Sequence, residues 1–304
     1  MARLAFLGTP HAAVPTLEAL GSEHDVVLVV TQPDRPQGRS QKPVPPPVKE
    51  IADRLGLEVA QPGSHRELLG ALEDSAPIDL GVVVAYGRIL RPETLRVPGR
   101  GFLNVHFSLL PRWRGAAPVS RALMAGDPMT GVTVMKLDEG LDTGPVLTAQ
   151  AIDVEPGENA GELTSRLARL GARLLTESIG PYLDGELEPT PQTGEGATYA
   201  DKVEPSDRPI RASDEVQATV NKVRGLAPDP AATIRIEGAP HKILEVAPAD
   251  SGPPQGRWLI LDGIPVAGLA DGGIELLTLQ PPGKTVMTGA DWARGRRDSG
   301  GTIG

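Results

Sequence analysis

The chain has 304 residues, no cysteine and a formal net charge of -9. Disulfides, thiol nucleophiles and cysteine zinc sites are thereby excluded, and an acidic total speaks against a protein that coats nucleic acid indiscriminately. A hydrophobic content of 39% with 23% charged residues suits a globular chain long enough for two domains, and aromatics at 3% leave the core to Leu, Val, Ala and Ile.

Leu4–Leu7 reads as a buried strand that runs into the turn Gly8-Thr9-Pro10, with helical spacing from Ala12 to Leu20. This opening fits a doubly wound sheet, although the turn lacks the glycine pattern of a dinucleotide site. Leu4–Leu7 is too short for a signal sequence and no run reaches the length of a membrane span, so the expected location is cytoplasmic. Asp25–Gln32, rich in Val, is a second strand suited to burial on both faces. Pro33–Pro47 follows, with Arg35, Arg39 and Lys42 set among prolines. Its prolines predict a stiff, extended course without regular structure. It is either a solvated surface loop or an arm that offers cations to phosphate.

A helix over Val48–Leu55 and a short strand over Leu57–Ala60 precede a helix that starts after Ser64, with Glu67 as capping-box partner. Leu80–Ala85 and Phe102–Phe107 are the next buried strands. Strand and helix alternating in this way predict an α/β, Rossmann-like, mostly parallel sheet. Asn104 and His106, two residues apart on a strand, project from one face near the end where open α/β sheets bind ligands. A helix over Ala117–Ala125 and a strand over Val132–Leu137 return the chain to Asp142. A strand over Leu147–Val154 and a long helix over Ala160–Leu183 follow.

Residues 187–207 are polar and rich in Gly, Pro, Thr and Glu, as in a linker. Beyond them a helix is expected over Ser213–Val223, with Asp214 and Glu215 in its first turn. Short alternating strands are expected at Thr233–Ile236, Lys242–Val246, Trp258–Leu261, Val266–Leu269 and Ile274–Leu279. They predict a small β-barrel of the oligonucleotide/oligosaccharide-binding (OB-like) type over residues 208–304, after a larger domain over residues 1–186. Ser299–Gly304 is expected to be frayed.

An amide donor, an imidazole and a carboxylate meeting in one place suit acyl transfer to an amine. Asn104 or a protonated His106 would face the oxygen that gains charge, and His106 would move a proton. Asp142 would orient the imidazole and favour its charged form. No nucleophile elbow occurs, and Ser108 would stand in line with His106 on a strand, so direct transfer is favoured over a covalent intermediate. The other histidines, His11, His24, His65 and His241, lack ligand spacing, so no metal is expected. The plainer alternative is that Asn104 and His106 are satisfied polar residues and that Asp138, Glu139 and Asp142 form an ordinary acidic loop.

The run N-V-H-F-S-L-L-P-R-W-R-G-A-A-P at residues 104–118 resembles the methionyl-tRNA formyltransferase family. So do L-A-F-L-G-T-P at the start, V-T-Q-P-D-R-P-Q-G-R at 30–39, V-A-Y-G-R-I-L at 84–90 and M-K-L-D-E-G-L-D-T-G at 135–144. L-Q-P-P-G-K at 279–284 and A-R-G-R-R at 293–297 continue the likeness, which covers nearly the whole chain. The resemblance implies transfer of a formyl group from 10-formyltetrahydrofolate to the α-amine of methionyl initiator tRNA, without a metal. It implies a catalytic trio of Asn104, His106 and Asp142, with Ser108, Leu109, Leu110 and Pro111 lining the folate site. Backbone near Tyr86 and the loop at Asp138–Asp142 would help there. Arg35, Arg39 and Lys42 would approach the tRNA acceptor stem, and Lys284, Arg294, Arg296 and Arg297 would hold its backbone. A monomer is expected, with no membrane partner. Transfer to a nucleotide-linked amino sugar is the alternative reaction, and a non-catalytic folate- or RNA-binding homologue the alternative of another class. The chain departs from the family pattern at His11 and Ala12, at Ser40 and Gln41 in the basic loop, and at Ala227-Pro228-Asp229-Pro230.

Overall fold

The structure is a computed structural model that describes residues 1–37 and 42–304. The chain divides into two compact units. The first comprises Met1–Pro118, Met129–Asp153 and Thr164–Ala200; the second comprises Val119–Pro128, Val154–Leu163 and Asp201–Gly304. The second unit is thus assembled from three separate stretches of sequence.

In chain order the first unit begins with β1 (Arg3–Gly8), α1 (Val14–Glu23) and β2 (Asp25–Val30). Then come β3 (Arg35–Gln37), β4 (Lys42–Val44), α2 (Pro47–Leu55) and β5 (Val59–Ala60). After α3 (His65–Asp74), β6 (Leu80–Val84), α4 (Pro92–Leu95) and β7 (Phe102–His106), the helix α5 (Pro118–Ala125) leads to β8 (Met129–Lys136) and β9 (Val146–Asp153). The long helix α6 (Ala160–Asp184) follows.

Among the described residues, seven strands form one sheet in the order β5-β2-β1-β6-β7-β8-β9. Pairing is parallel from β5 to β7 and antiparallel from β7 to β9. Apart from Arg3 at the start of β1, the strands at its centre are buried, as the unbroken apolar runs predict. Strand order reverses between β1 and β6, and crevices at such switch points are where open α/β sheets bind ligands. Ser64 caps α3 by accepting from the Glu67 amide, while the Glu67 carboxylate reaches back to Gly63 N and the Ser64 hydroxyl.

The proline-rich stretch differs from the expected irregular course. β3 and β4 form an antiparallel ribbon with Pro36 opposite Pro43, and Arg35 and Lys42 are exposed on it. Proline has no N–H, so two prolines fit such a ladder when they share a non-hydrogen-bonded pair. Arg39, Ser40 and Gln41 lie outside the described residues. Residues 187–200, linker-like in composition, are hydrogen-bonded within the first unit: Thr190 exchanges both backbone bonds with Val146, and Ala200 N donates to Arg114 O.

The second unit contains α7 (Val216–Leu226), β10 (Ala232–Ile236), β11 (Ala239–Ala249), β12 (Arg257–Leu261), β13 (Ile264–Gly268) and β14 (Gly273–Gln280). β15 (Met287–Thr288), α8 (Gly289–Arg294) and β16 (Gly300–Thr302) follow, and all but the first residue of α5 and the first four residues of α6 belong to this unit as well. Its sheet is antiparallel, in the order β10-β11-β14-β13-β12-β16. The two ends meet, since Ile236 bridges Ile303 and Gly304 N donates to Arg235 O. The expected fraying of Ser299–Gly304 is therefore corrected: β16 pairs with β12, and Ile303 is buried. The interior gathers Trp258, Ile243, Leu276, Leu279 and Trp292 from the sheet and α8.

α7 starts three residues later than expected, which removes Asp214 and Glu215 from its first turn. Asp214 instead accepts from Arg211 N and pairs with Lys222 at 2.6 Å, and the Asp271 carboxylate receives the Val216 amide. Met124 of α5 packs against this core, and Gly225 lies against Met124 and Ser120.

Candidate active site

The end of β7 carries the first two candidates. Strand alternation turns Asn104 and His106 to one face, and both are buried, at 8% and 5% exposure. Val105, on the other face, lies against Gly171 of α6. Antiparallel pairing with β8 sets Asn104 beside Met135 and His106 beside Thr133.

His106 Nε2 lies 2.8 Å from the Trp113 carbonyl oxygen. A carbonyl only accepts, so Nε2 carries the proton, and in the neutral ring Nδ1 is the basic nitrogen. Nδ1 faces Asp142 Oδ2 at 3.7 Å, with the two side chains 6% and 13% exposed. That separation is too long for a hydrogen bond, yet short enough for the carboxylate to attract an imidazolium once the ring takes up a proton. The imidazole tautomer is thus set by a backbone carbonyl, whereas the sequence reading assigned its orientation to Asp142.

Asp142 is gripped from several sides. Its backbone lies in the left-handed region at φ 51, where a residue with a Cβ seldom rests. Its Oδ2 accepts from Gly115 N at 2.8 Å, and its carbonyl accepts from Gln192 Nε2 at 2.8 Å. Gly115 has φ 120, and a Cβ there would come 2.8 Å from the Ala200 carbonyl oxygen, so this donor position demands glycine. The preceding loop is closed internally, with Thr143 Oγ1 donating to both Asp138 carboxylate oxygens.

The turn after β7 is pinned to β8. Thr133 Oγ1 donates to Ser108 O at 2.7 Å and accepts from Leu110 N at 3.1 Å. Ser108 is fully buried and its hydroxyl donates to Arg112 O, so the hydroxyl serves the turn. Leu109, Leu110 and Pro111 are half-buried. At the switch point, Thr9 Oγ1 and Gln32 Nε2 both donate to Tyr86 O, and Arg88 Nε donates to Gln32 Oε1. Burial pushes the Tyr86 phenol up from its ordinary value. Lys49 spans Asp34 and Gln61 at the root of the proline ribbon. The Gln61 amide, followed by the Lys49 ammonium, holds the Asp34 carboxyl below its ordinary value.

The basic candidates separate by their surroundings. In the second unit Lys284, Arg294 and Arg297 are exposed, with Arg294 paired to Asp291. Arg296 is different: its guanidinium lies 4.8 Å from the ring centroids of both Trp258 and Trp292. It is a packing element of this module. Among the described residues no cluster of three or more His, Asp or Glu suits a metal, and no helix is long and apolar enough to cross a membrane.

Two groups that contact His106 and Asp142 were hidden from sequence reasoning. The Trp113 carbonyl is backbone, and side-chain motifs say nothing of it. Gln192 sits in a stretch whose composition resembles a linker. The sole hint was the R-W-R-G run, in which glycine follows three bulky residues.

A mostly parallel sheet whose last parallel strand carries Asn104 and ends at His106, with an antiparallel barrel-like module beyond it in sequence, is the architecture of a formyltransferase. Residues 2–179 match the family described as Formyl transferase, and residues 202–297 match Formyl transferase, C-terminal domain. The Methionyl-tRNA formyltransferase of Halorhodospira halophila is 46% identical over 97% of each chain, and that of Heliobacterium modesticaldum 43% identical over 97% of each. The chain belongs to the methionyl-tRNA formyltransferase family. Its fold is also that of the N-formyltransferase from Helicobacter canadensis, solved with folinic acid and dTDP-3-aminofucose. That protein aligns with a TM-score of 0.70 at 19% identity, covering 92% of this chain and 100% of the other.

Proposed function

We infer that this protein transfers the formyl group of 10-formyltetrahydrofolate to the α-amine of methionyl initiator tRNA, and that Asn104, His106 and Asp142 carry the reaction. The observation that bears most weight is the His106 ring. With Nε2–H committed to the Trp113 carbonyl, a basic Nδ1 is left beside a carboxylate at 3.7 Å, in a buried site shared with an amide.

The donor supplies an activated formyl carbonyl when bound. Asn104 donates its amide N–H to the carbonyl oxygen as negative charge develops there; one such donor is typically worth about 10²–10³ in rate. His106 Nδ1 accepts the proton that the attacking amine must lose, and Asp142 stabilises the imidazolium that results; as the tetrahedral intermediate collapses, the bond between the formyl carbon and the folate N10 breaks, the imidazolium returns the proton to that nitrogen, and tetrahydrofolate leaves. An α-amine of pKa about 7.7–8.0 is already partly neutral at working pH, so the base has modest work to do. With the Ser108 hydroxyl bonded internally and no other nucleophile motif, the amine attacks directly.

The folate would lie against the half-buried apolar edge of Leu109, Leu110 and Pro111, with the Asp138–Asp142 loop as a second wall. A flat heteroaromatic ring needs apolar cover on its faces and polar groups at its edge, and this combination supplies both. Ser108 contributes by holding that turn. The exposed Arg35 and Lys42 of the ribbon, with Arg39, would meet the acceptor stem, and Lys284, Arg294 and Arg297 would meet phosphates through the second unit. Catalysis thus belongs to the first unit and RNA grip largely to the second. The enzyme acts as a monomer in the cytoplasm, where translation begins.

The test is formyl transfer by purified protein from 10-formyltetrahydrofolate to initiator methionyl-tRNA, with elongator methionyl-tRNA and a nucleotide-linked amino sugar as competing acceptors. Preference for the initiator is expected. Formylation of the sugar alone would overturn the assignment, and tight folate binding without turnover on any acceptor would mark a non-catalytic homologue.

A further inference from the structure

Asp142 is held at both ends by one closed ring of contacts. Starting at Arg114, the guanidinium donates through Nε and Nη2 to Gln192 Oε1, at 3.1 and 2.7 Å. Gln192 Nε2 then donates to the carbonyls of Asp142 and Gly144, each at 2.8 Å. The Asp142 carboxylate accepts from Gly115 N, one peptide beyond Arg114, and so returns the ring to its start.

The orientation of the Gln192 amide is fixed by its partners. Two guanidinium donors require the oxygen on their side, and two carbonyls require the NH2 on the other. Both halves of the amide are therefore committed. A charged donor on Oε1 also polarises the amide and strengthens its N–H groups toward the carbonyls.

Arg114 is 8% exposed, yet Gln192, its side-chain partner in this ring, is a neutral amide. A carboxylate at position 192 would pair with Arg114 more strongly, but it has no N–H to offer the Asp142 and Gly144 carbonyls. The choice of amide is thus explained by its second pair of contacts. Those contacts matter because Asp142 holds a left-handed backbone at φ 51, which a non-glycine residue keeps when its surroundings over-determine it. Gly144 adds to the demand, because a Cβ there would collide with the Lys136 carbonyl, so the strand return after Asp142 runs tight against β8.

We propose that Gln192 is a positioning residue for formyl transfer, orienting the Asp142 carboxylate toward His106 by anchoring the Asp142 and Gly144 carbonyls to Arg114. The proposal rests on Asp142 having the role given above. It adds to the site a residue that lies fifty positions further along the chain, in a segment unremarkable in sequence.

The experiment uses the full chain with 10-formyltetrahydrofolate and initiator methionyl-tRNA, and compares Gln192→Ala, Gln192→Glu, Asp142→Ala and the Gln192→Glu/Asp142→Ala double variant. Displacement of a reacting group by about 1 Å can cost on the order of 10²-fold in rate. Gln192→Glu, which keeps its side-chain length and its grip on Arg114, is expected to lose on the order of 10–10²-fold in kcat, with both KM values changed less than about threefold. Gln192→Ala should fall at least as far. In the Asp142→Ala background the Gln192→Glu loss should disappear, because the group being oriented is gone. Full kcat in Gln192→Glu overturns the proposal, as does an equal loss with and without Asp142. An unchanged kcat in Asp142→Ala alone would instead remove the role of Asp142, and the two failures are thereby told apart. Should Gln192→Ala fail to fold, Gln192→Glu and its double variant still decide the matter.

Discussion

Replacing Asp142 by Asn isolates the charge on the carboxylate. The amide is isosteric, and its Oδ1 can still accept from Gly115 N, so the backbone ring around residue 142 is kept. What is lost is the attraction between the carboxylate and an imidazolium whose Nδ1 lies 3.7 Å away. At an effective dielectric of about 20, two unit charges at that range attract by about 4 kcal/mol. The side chains are 6% and 13% exposed, so water screens them little. At about 1.4 kcal/mol per tenfold, the full attraction corresponds to about 10³ in rate. The remaining amide dipole recovers part of this, so a loss of about 10²–10³ in kcat is expected. Because the charge pair forms only as the amine surrenders its proton, neither KM should move by more than about threefold. Steady-state formylation of initiator methionyl-tRNA measures both. A kcat within threefold of wild type, or a large rise in folate KM at constant kcat, would refute the assigned role.

His241 is buried against Trp292, with ring centroids 5.7 Å apart, and burial lowers its pKa from the ordinary 6.5. Its stabilising contribution is complete above about pH 6.5 and is lost as pH falls toward the depressed value, because only the unfolded chain takes up the proton. His24, also lowered by burial, acts with the same sign. The urea midpoint should therefore be lower at pH 5.5 than at pH 7.5, and an unchanged midpoint would contradict this. Arg296→Ala should cost about 1–2 kcal/mol through two lost cation–π contacts, read as a lower Tm, with no change in the salt dependence of tRNA binding. Arg297→Ala should instead flatten that salt slope by about 1 at constant Tm; a reversal of the two outcomes would exchange their roles. Thr133→Val leaves the Ser108 carbonyl and the Leu110 amide without their shared partner, for a loss of about 1–3 kcal/mol by chemical denaturation, and full stability would show that the turn is held otherwise.

Much of the sheet was legible because burial on both faces leaves an unmistakable apolar run, as in β2 and β6. Period-two spacing placed Asn104 and His106 on one face of a buried strand, and the likeness of residues 104–118 to the formyltransferase motif, rather than the spacing, gave the pair a chemical role. The expected strand return allowed Asp142 to approach the imidazole, and the structure brings the two within 3.7 Å. The pairing of Arg35–Gln37 with Lys42–Val44 was missed because proline usually weakens strands, and the rule yields when two prolines face each other across the ladder. α7 was started too early because Asp214 and Glu215 look like first-turn acids, whereas Lys222 and Arg211 N hold Asp214 outside the helix. The Trp113 carbonyl and Gln192 were illegible for a deeper reason. Their work depends on where backbone groups end up after the chain has closed on itself, and composition carries no trace of that.

The discontinuous make-up of the second unit bears on any attempt to dissect the protein. A fragment cut at residue 201 would lack Val119–Pro128 and Val154–Leu163, and with them the Met124 side chain that packs into its interior. The carbonyls of Glu155 and Glu158, which receive the Arg224 guanidinium, would be missing as well. Weak tRNA affinity in such a fragment would report an incomplete fold rather than a dispensable module. Internal point substitutions, or a graft that returns both missing stretches, are the sounder route to apportioning RNA affinity.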